Sequence, residues 1–264
     1  MEKIDTTIKE KENQPAPPAT LCKRCGKPAE PKFVALLGWR QQDHCEPCGT
    51  IVAEERERQE IEHAERMTIK NYLERSGVIR GILAGMTFEN FNSKIAGTAK
   101  EIAEEYASTF SRETTRGLMF YGKAGSGKTH LAVAIARHII EAKQIQVRFT
   151  RVVDLLSEIR KTFDENENYR TENESDLIKK YIAVPLLVID DLGSEKTSDW
   201  VRQFLYQIID ERWIEQKPII VTSNLKPKEL EARFEERIAS RVAALCRLVE
   251  TRDYDYRIIK NQTH

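Results

Sequence analysis

The sequence has no net charge to interpret. Lys and Arg number 42 and Asp and Glu also 42, over 264 residues. That balance argues neither for nor against a nucleic-acid partner, because any basic face must be matched by acidic surface elsewhere. There is also no apolar run approaching the roughly 20 residues that a membrane-spanning helix needs. The N-terminus, Met1-Glu-Lys-Ile-Asp5, is charged and lacks the apolar core of a secretory leader. These absences lead to the expectation of a cytoplasmic protein with no membrane partner. Cysteine is scarce, at five residues, and in a reducing compartment these are thiols or metal ligands before they are disulfides. No internal repeat is present. What remains is an ordinary soluble composition, 40% hydrophobic and 32% charged, in a chain long enough for one sizeable domain and a smaller module.

The chain reads as four stretches. Residues 1–20 are polar, include Pro15-Ala-Pro-Pro18, and form a flexible tail. Residues 21–50 hold four of the five cysteines. Residues 51–76 are rich in Glu and Arg, with no Pro or Gly before Ser76-Gly77, and are expected to be a helix. Its apolar stripe is thin: Ile51, Ile61, Met67 and Tyr72. It is either a solvated helix linking two modules or a helix that docks on a partner. Residues 77–264 form the main domain, an α/β alternation. Strands are expected at 118–121, 145–150, 184–189, 218–223 and 246–251. Helices are expected at 96–110, 129–141, 153–163, 199–215 and within 229–245, and an exposed acidic insertion at 164–175. Strands alternating with helices imply a parallel sheet covered on both faces.

Gly122-Lys123-Ala124-Gly125-Ser126-Gly127-Lys128-Thr129 fits GxxxxGK[ST] between an apolar strand and a helix. The glycines let successive N–H groups turn inward around phosphate oxygens, and the helix N-terminus adds positive potential. Lys128 is expected to reach the β- and γ-phosphates of ATP, and Thr129 to ligate Mg²⁺. His130, next in the chain, completes the candidate nucleotide-binding segment.

Pro185-Leu-Leu-Val-Ile-Asp-Asp191 is a buried strand ending in two acids at the sheet edge where ligands of open α/β sheets bind. Asp190 is the expected second Mg²⁺ ligand. Asp191 either orients or deprotonates the attacking water, or serves as a helix cap or ion-pair acid. Asn224 closes the strand Ile219-Ile-Val-Thr-Ser223. It either senses the γ-phosphate or is simply a turn residue ahead of Pro227.

Cys22-Lys-Arg-Cys25 and Cys45-Glu-Pro-Cys48 form two CxxC pairs about 20 residues apart, the spacing of a four-thiolate zinc site. Gly26 and Gly49 let the backbone turn toward sulfur. Such a closed site is structural, since no coordination position stays open. His44 could replace a ligand but is expected to lie beside the site or exposed, and Cys246, in an apolar segment, is expected in the core.

Taken in order, GKAGSGKTH, LLVIDDLGSEKTSDW, PIIVTSNL and ERIASRV resemble the DnaC/DnaI-type replicative helicase loaders and their relatives, the IstB transposition ATPases. Both are AAA+ proteins close to the initiator DnaA. The resemblance spans roughly residues 77–257. It implies an AAA+ P-loop core with a parallel five-stranded sheet flanked by helices, ATP and Mg²⁺ as cofactors, and self-assembly through the ATP site. It further implies an ATP-dependent loader that binds a DnaB-like replicative helicase hexamer and single-stranded DNA during replication initiation. Thr87–Phe91 resembles the segment that lies by the adenine. Arg241 matches the family's arginine finger, with Arg237 the second candidate; the alternative for both is an ordinary surface ion pair. Tyr256-Arg257 resembles the C-terminal sensor arginine. Lys128, Asp190, Asp191, Asn224 and Arg241 are then the catalytic set. The family's usual Asp-Glu is Asp190-Asp191 here, and the shorter second acid bears on its catalytic reach.

DnaI-like loaders carry an N-terminal zinc module that docks on the helicase, and the resemblance suggests the same role here. Direct DNA contact through Lys23, Arg24, Lys27, Lys32 and Arg40 is the alternative. In the core, Arg148, Phe149, Arg151, Arg160, Lys161 and Phe163 either line a DNA groove or are core and solvated residues. Two other functions stay open: an IstB-like transposition ATPase, and a nucleotide-dependent DNA-binding scaffold with negligible turnover.

Overall fold

The computed structural model describes residues 12–35, 37–92, 97–162, 173–194 and 198–251. The chain divides into two compact units, Met1–Arg66 and Met67–His264.

In the first unit, β1 (Thr20–Leu21) pairs antiparallel with β2 (Pro28–Ala29), and β3 (Lys32–Val34) with β4 (Gly38–Arg40). Helix α1 (Glu46–Ser76) follows. It starts earlier than the expected residue 51, so Cys48 lies in its first turn. Among the described residues the unit's buried apolar cluster is only Cys22, Ala29 and Cys48, with Cys45 packed against it. So small a core cannot offset chain entropy unaided. Every residue from Ala53 to Met67 is exposed, as the Glu/Arg-rich composition of that stretch requires.

The helix ends at Ser76. The Ser76 hydroxyl donates to Leu73 O at 2.7 Å and accepts from Val78 N at 3.2 Å. Gly77 then takes φ +85°, where an added Cβ would lie 2.8 Å from the Phe149 carbonyl.

The second unit is built on one sheet in the order β6-β7-β8-β5-β9, all parallel. Its strands are β5 (Gly117–Tyr121), β6 (Val147–Arg151), β7 (Leu186–Asp190), β8 (Ile219–Ser223) and β9 (Cys246–Glu250). The apolar strands bury both faces, with alternate side chains pointing opposite ways. Leu118, Phe120, Leu186, Val188 and Ile220 pack with α2 (Ala99–Thr109) and α3 (Lys128–Lys143). Met119, Leu187, Ile189, Ile219 and Val221 share the other core cluster. Four helices build that face: α4 (Val152–Lys161), α5 (Glu174–Ala183), α6 (Asp199–Ile214) and α7 (Pro227–Leu245). The α/β expectation holds, with a five-stranded parallel sheet between helical layers. Among the described residues no helix is long and apolar enough to cross a membrane.

Helix α5 departs from the sequence reading. Of the expected acidic insertion, 164–172 lie outside the described residues, and Glu174 already belongs to α5. The Asn173 side chain caps this helix by accepting from Asp176 N at 2.8 Å. Leu177, Ile178 and Tyr181 bury its inner face.

Arg212 on α6 is fully buried. Its guanidinium donates to Tyr181 O, Ile182 O, Val184 O, Pro185 O and Pro218 O at 2.7–3.3 Å. It thus ties the end of α5 to the starts of β7 and β8. Burial pulls its pKa down to about 9, which still leaves it cationic at neutral pH among carbonyl dipoles. Arg212→Met keeps the length and removes every donor, so buried carbonyls lose their partner. The expected loss of stability is about 3 kcal/mol or more, read from the denaturant midpoint.

Candidate functional site

The C-terminal ends of β5, β7 and β8 converge on one edge of the sheet. Between β5 and α3 the loop folds back on itself, with Gly125 at φ +77° and Gly127 at φ +87°. At Gly127 an added Cβ would meet the Phe91 ring at 2.7 Å, so only glycine fits. No side chain caps the N-terminus of α3, and its first N–H groups are left for an anion. Lys128 is buried at 6% exposure. Its ammonium donates to Gly122 O (2.8 Å), Lys123 O (2.7 Å) and Asn224 Oδ1 (2.9 Å). A cation ringed by oxygens beside an uncapped helix start fits a polyphosphate. Lys123 and Ala124 form the exposed rim, and Ser126 is buried.

His130 faces away from this loop. Its Nε2–H donates to Thr87 O at 2.7 Å, and its ring meets the edge of Phe91 at 5.0 Å. Burial lowers its pKa, against a smaller opposing effect of the Thr87 carbonyl, so the imidazole is neutral at pH 7. Its side chain holds the Thr87–Phe91 segment against α3.

Thr129 and Asp190 come together: the hydroxyl donates to Asp190 Oδ1 at 2.8 Å. The Thr222 hydroxyl donates to the same oxygen at 2.7 Å. Burial raises the Asp190 pKa, and the Thr222 and Thr129 hydroxyls and the Lys128 charge oppose that rise. A hydroxyl oxygen and a carboxylate held this close suit a hard divalent cation such as Mg²⁺. Asp191 sits in the left-handed region at φ +60°. Its N–H donates to Thr222 Oγ1 at 2.8 Å, and its Oδ1 accepts from Asn224 Nδ2 at 3.0 Å. Asn224 therefore bridges the loop lysine and the second acid with the two ends of one amide.

Thr222, the hub for both acids, was not among the sequence candidates. The available signal was a pair of hydroxyls, Thr222-Ser223, closing an otherwise apolar strand.

The arginines lie elsewhere. Arg241 Nε pairs with Asp210 at 2.6 Å, and its guanidinium lies 3.7 Å over the Trp213 ring. Its partners here are on α6 of its own chain, not at the loop. Arg237 lines a groove with Asp199, Arg202, Tyr206 and Phe234. Tyr256 and Arg257 lie outside the described residues, as does Phe163.

Of the groove residues considered for DNA, Phe149 takes the core alternative: it is 8% exposed and packs in the same cluster as Val147. Arg148 is occupied, bonded to Glu158 at 3.2 Å and stacked 4.3 Å over Tyr181. Arg151 pairs with Asp154 at 2.8 Å, Arg160 lies 5.3 Å over Trp200, and Lys161 is exposed.

In the first unit the sulfurs of Cys22, Cys25, Cys45 and Cys48 all lie within 4.8 Å of one another, and Cys25–Cys45 is 3.6 Å. A tetrahedral zinc with Zn–S near 2.3 Å would set sulfurs about 3.8 Å apart; a disulfide would need about 2.05 Å. The turns close through Gly26 N→Cys22 O and Gly49 N→Cys45 O. At Cys22, burial is outweighed by backbone N–H groups of Cys45, Cys25 and Arg24, and the thiol falls to about 6. Cys48, hydrogen-bonded to Cys25 and Cys45, is pushed up to about 12. Four thiolates need a cation to coexist, so the donor set fits Zn²⁺. His44 is not in the cluster. Arg24 pairs with Glu55 through two bonds, and Lys23 with Asp43, while Lys27, Lys32 and Arg40 are exposed. Cys246 is buried, as expected, with its thiol on Ile219 O.

Comparison with known proteins matches residues 57–263 to the family model of IstB-like ATP binding proteins. That span begins after Cys48. A curated relative, the replicative helicase loader DnaC of Buchnera aphidicola subsp. Baizongia pistaciae (strain Bp), is 31% identical over 222 residues, 82% of this chain and 84% of the relative. The replicative helicase loader DnaC of Escherichia coli (strain K12) is 28% identical over 82% of each. A crystal structure of the DnaC helicase loader superposes with TM-score 0.57 at 29% identity, over 64% of this chain and 97% of that one.

Two outcomes are expected. Charged Asp190 destabilises the nucleotide-free fold, because its folded pKa is raised. That cost is absent in acid, where the group is neutral folded and unfolded, and it grows as pH rises above the ordinary value of 3.8. Asp190→Asn keeps an oxygen for both hydroxyls, so thermal unfolding without nucleotide should shift up by a few degrees at neutral pH, and less in acid. For the cysteine cluster, metal analysis of purified protein should find one zinc per chain. A strong chelator should unfold the first unit, read by circular dichroism, while nucleotide binding persists.

Proposed function

The chain belongs to the IstB/DnaC family of ATP-binding proteins, and from that premise we propose that it is an ATPase that loads a replicative helicase onto single-stranded DNA. The observation that carries this reading is the convergence of Lys128, Thr129, Asp190, Asp191 and Asn224 on one sheet edge, linked by hydrogen bonds. MgATP, when bound, supplies the phosphoryl group whose transfer to water drives the cycle. Lys128 would exchange loop carbonyls for phosphate oxygens, and Gly122–Gly127 would supply backbone N–H groups. Thr129 and Asp190 would hold the Mg²⁺. Asp191, fixed by Thr222 and Asn224, would orient the attacking water and accept its proton at the carboxylate. Asn224 would couple the two events, since engagement of Lys128 elsewhere frees its Oδ1.

Arg241 is proposed to act in trans on a neighbouring copy, so that assembly gates turnover. It would first have to leave Asp210 and Trp213. The four-cysteine module lies outside the matched family span and is proposed as the surface that docks on the helicase hexamer. The named helicase loaders among the relatives support this partner over a transposition role. Single-stranded DNA is proposed as the second partner, with Arg160 and Lys161 exposed and Arg151 reaching it only by leaving Asp154.

The test is co-purification of the full chain with its host's replicative helicase, combined with nucleotide titration in Mg²⁺. Wild-type protein should bind ATP and retain the helicase. Lys128→Ala should weaken nucleotide binding roughly 10- to 100-fold. Zinc removal should release the helicase and leave ATP affinity intact. A chain with no affinity for ATP or ADP in Mg²⁺ would sink the proposal.

A further inference from the structure

Strand β9 ends at Glu250, and the side chain of the next residue, Thr251, reaches the phosphate loop from 125 positions away in sequence. Thr251 and Ser126 are both buried, at 1% and 0% exposure. Their hydroxyl oxygens lie 2.6 Å apart. Thr251 Oγ1 also donates to Tyr121 O at 3.1 Å, and Thr251 N donates to the same carbonyl at 2.9 Å.

A hydroxyl has one proton. With that of Thr251 on the Tyr121 carbonyl, Ser126 must be the donor in the short contact. Lys128 Nζ lies 3.4 Å from Ser126 Oγ, its three protons already directed at Gly122 O, Lys123 O and Asn224 Oδ1. The result is a one-way chain of donors from Ser126 through Thr251 to the last carbonyl of β5. The loop also rests on Thr251 at its start. A Cβ at Gly122 would lie 2.5 Å from Thr251 Oγ1 and 2.9 Å from Thr251 O.

The geometry points to Thr251 as a positioning residue for nucleotide binding; this rests on the function proposed above. Its hydroxyl holds the Ser126 side chain in the protein interior, away from the space the phosphates would take. It thereby fixes the loop shape in which Lys128 and the N–H groups face one point. Without that hydroxyl the buried Ser126 has lost its acceptor and turns elsewhere, and the loop must be reordered by the ligand at a cost in affinity.

The test uses the full chain, a fluorescent ATP analogue and Mg²⁺, with Thr251→Val, Thr251→Ser, Ser126→Ala and the Val/Ala double variant. Thr251→Val and Ser126→Ala should each weaken binding roughly tenfold. The double variant should be no worse than either single one, because both break the same chain. Thr251→Ser should restore affinity, and steady-state ATPase of Thr251→Val should show a raised KM with kcat retained. Wild-type affinity in Thr251→Val, additive losses in the double variant, or failure of Thr251→Ser to rescue would each overturn the inference. If Thr251→Val does not fold, Ser126→Ala decides: unchanged affinity there overturns it as well. A wild-type chain that takes up no nucleotide overturns the underlying reading and this one together.

Discussion

One buried ammonium organises the active edge of this protein. Lys128 is held out of water by its own loop, and its carbonyl and amide partners come from the loop and from β8. The desolvation cost of that charge is met by oxygen dipoles aimed at one point. Because one of those dipoles belongs to Asn224, which also holds Asp191, the cation and the second acid are mechanically joined. The parallel sheet makes this possible. β5 and β8 are adjacent, β7 lies next to β8, and all three deliver their C-terminal ends to the same side.

The two units reach stability by different means. The larger one buries continuous apolar strands between two helical layers. Among the described residues the smaller one has almost no apolar core, and it draws four sulfurs within 4.8 Å of one another. The donor set that fits a metal and the packed sheet are thus built in separate parts of the chain.

Features fixed by local chemistry were legible in the sequence. The phosphate loop, the acid-tipped strand and the paired CxxC turns each occupy a few consecutive residues, and each appeared where expected. Strands β7 and β8 were legible because buried parallel strands are short runs of Val, Ile and Leu. What escaped notice depends on distant residues. Thr222 matters because β8 lies beside β7, and strand order is not written in either strand. Arg212 carries no local signal, because the carbonyls it binds belong to three other segments. Helix α5 was missed because its buried residues, Leu177, Ile178 and Tyr181, span little more than one turn behind an acidic lead-in. For Phe149 both alternatives stayed open in the sequence, and its packing in the same cluster as Val147 decides for the core.

The backbone at Asp191 carries a further implication. A non-glycine residue at φ +60° costs about 1 kcal/mol, and the hydrogen bonds of Asp191 to Thr222 and Asn224 help to hold it there. Glycine or asparagine would sit there more comfortably. In lineages where hydrolysis has ceased to matter, mutational drift should favour those two residues at this position while the phosphate loop persists. On the function proposed above, the amino acid after Asp190 would then distinguish hydrolysing chains from plain nucleotide binders among this protein's descendants.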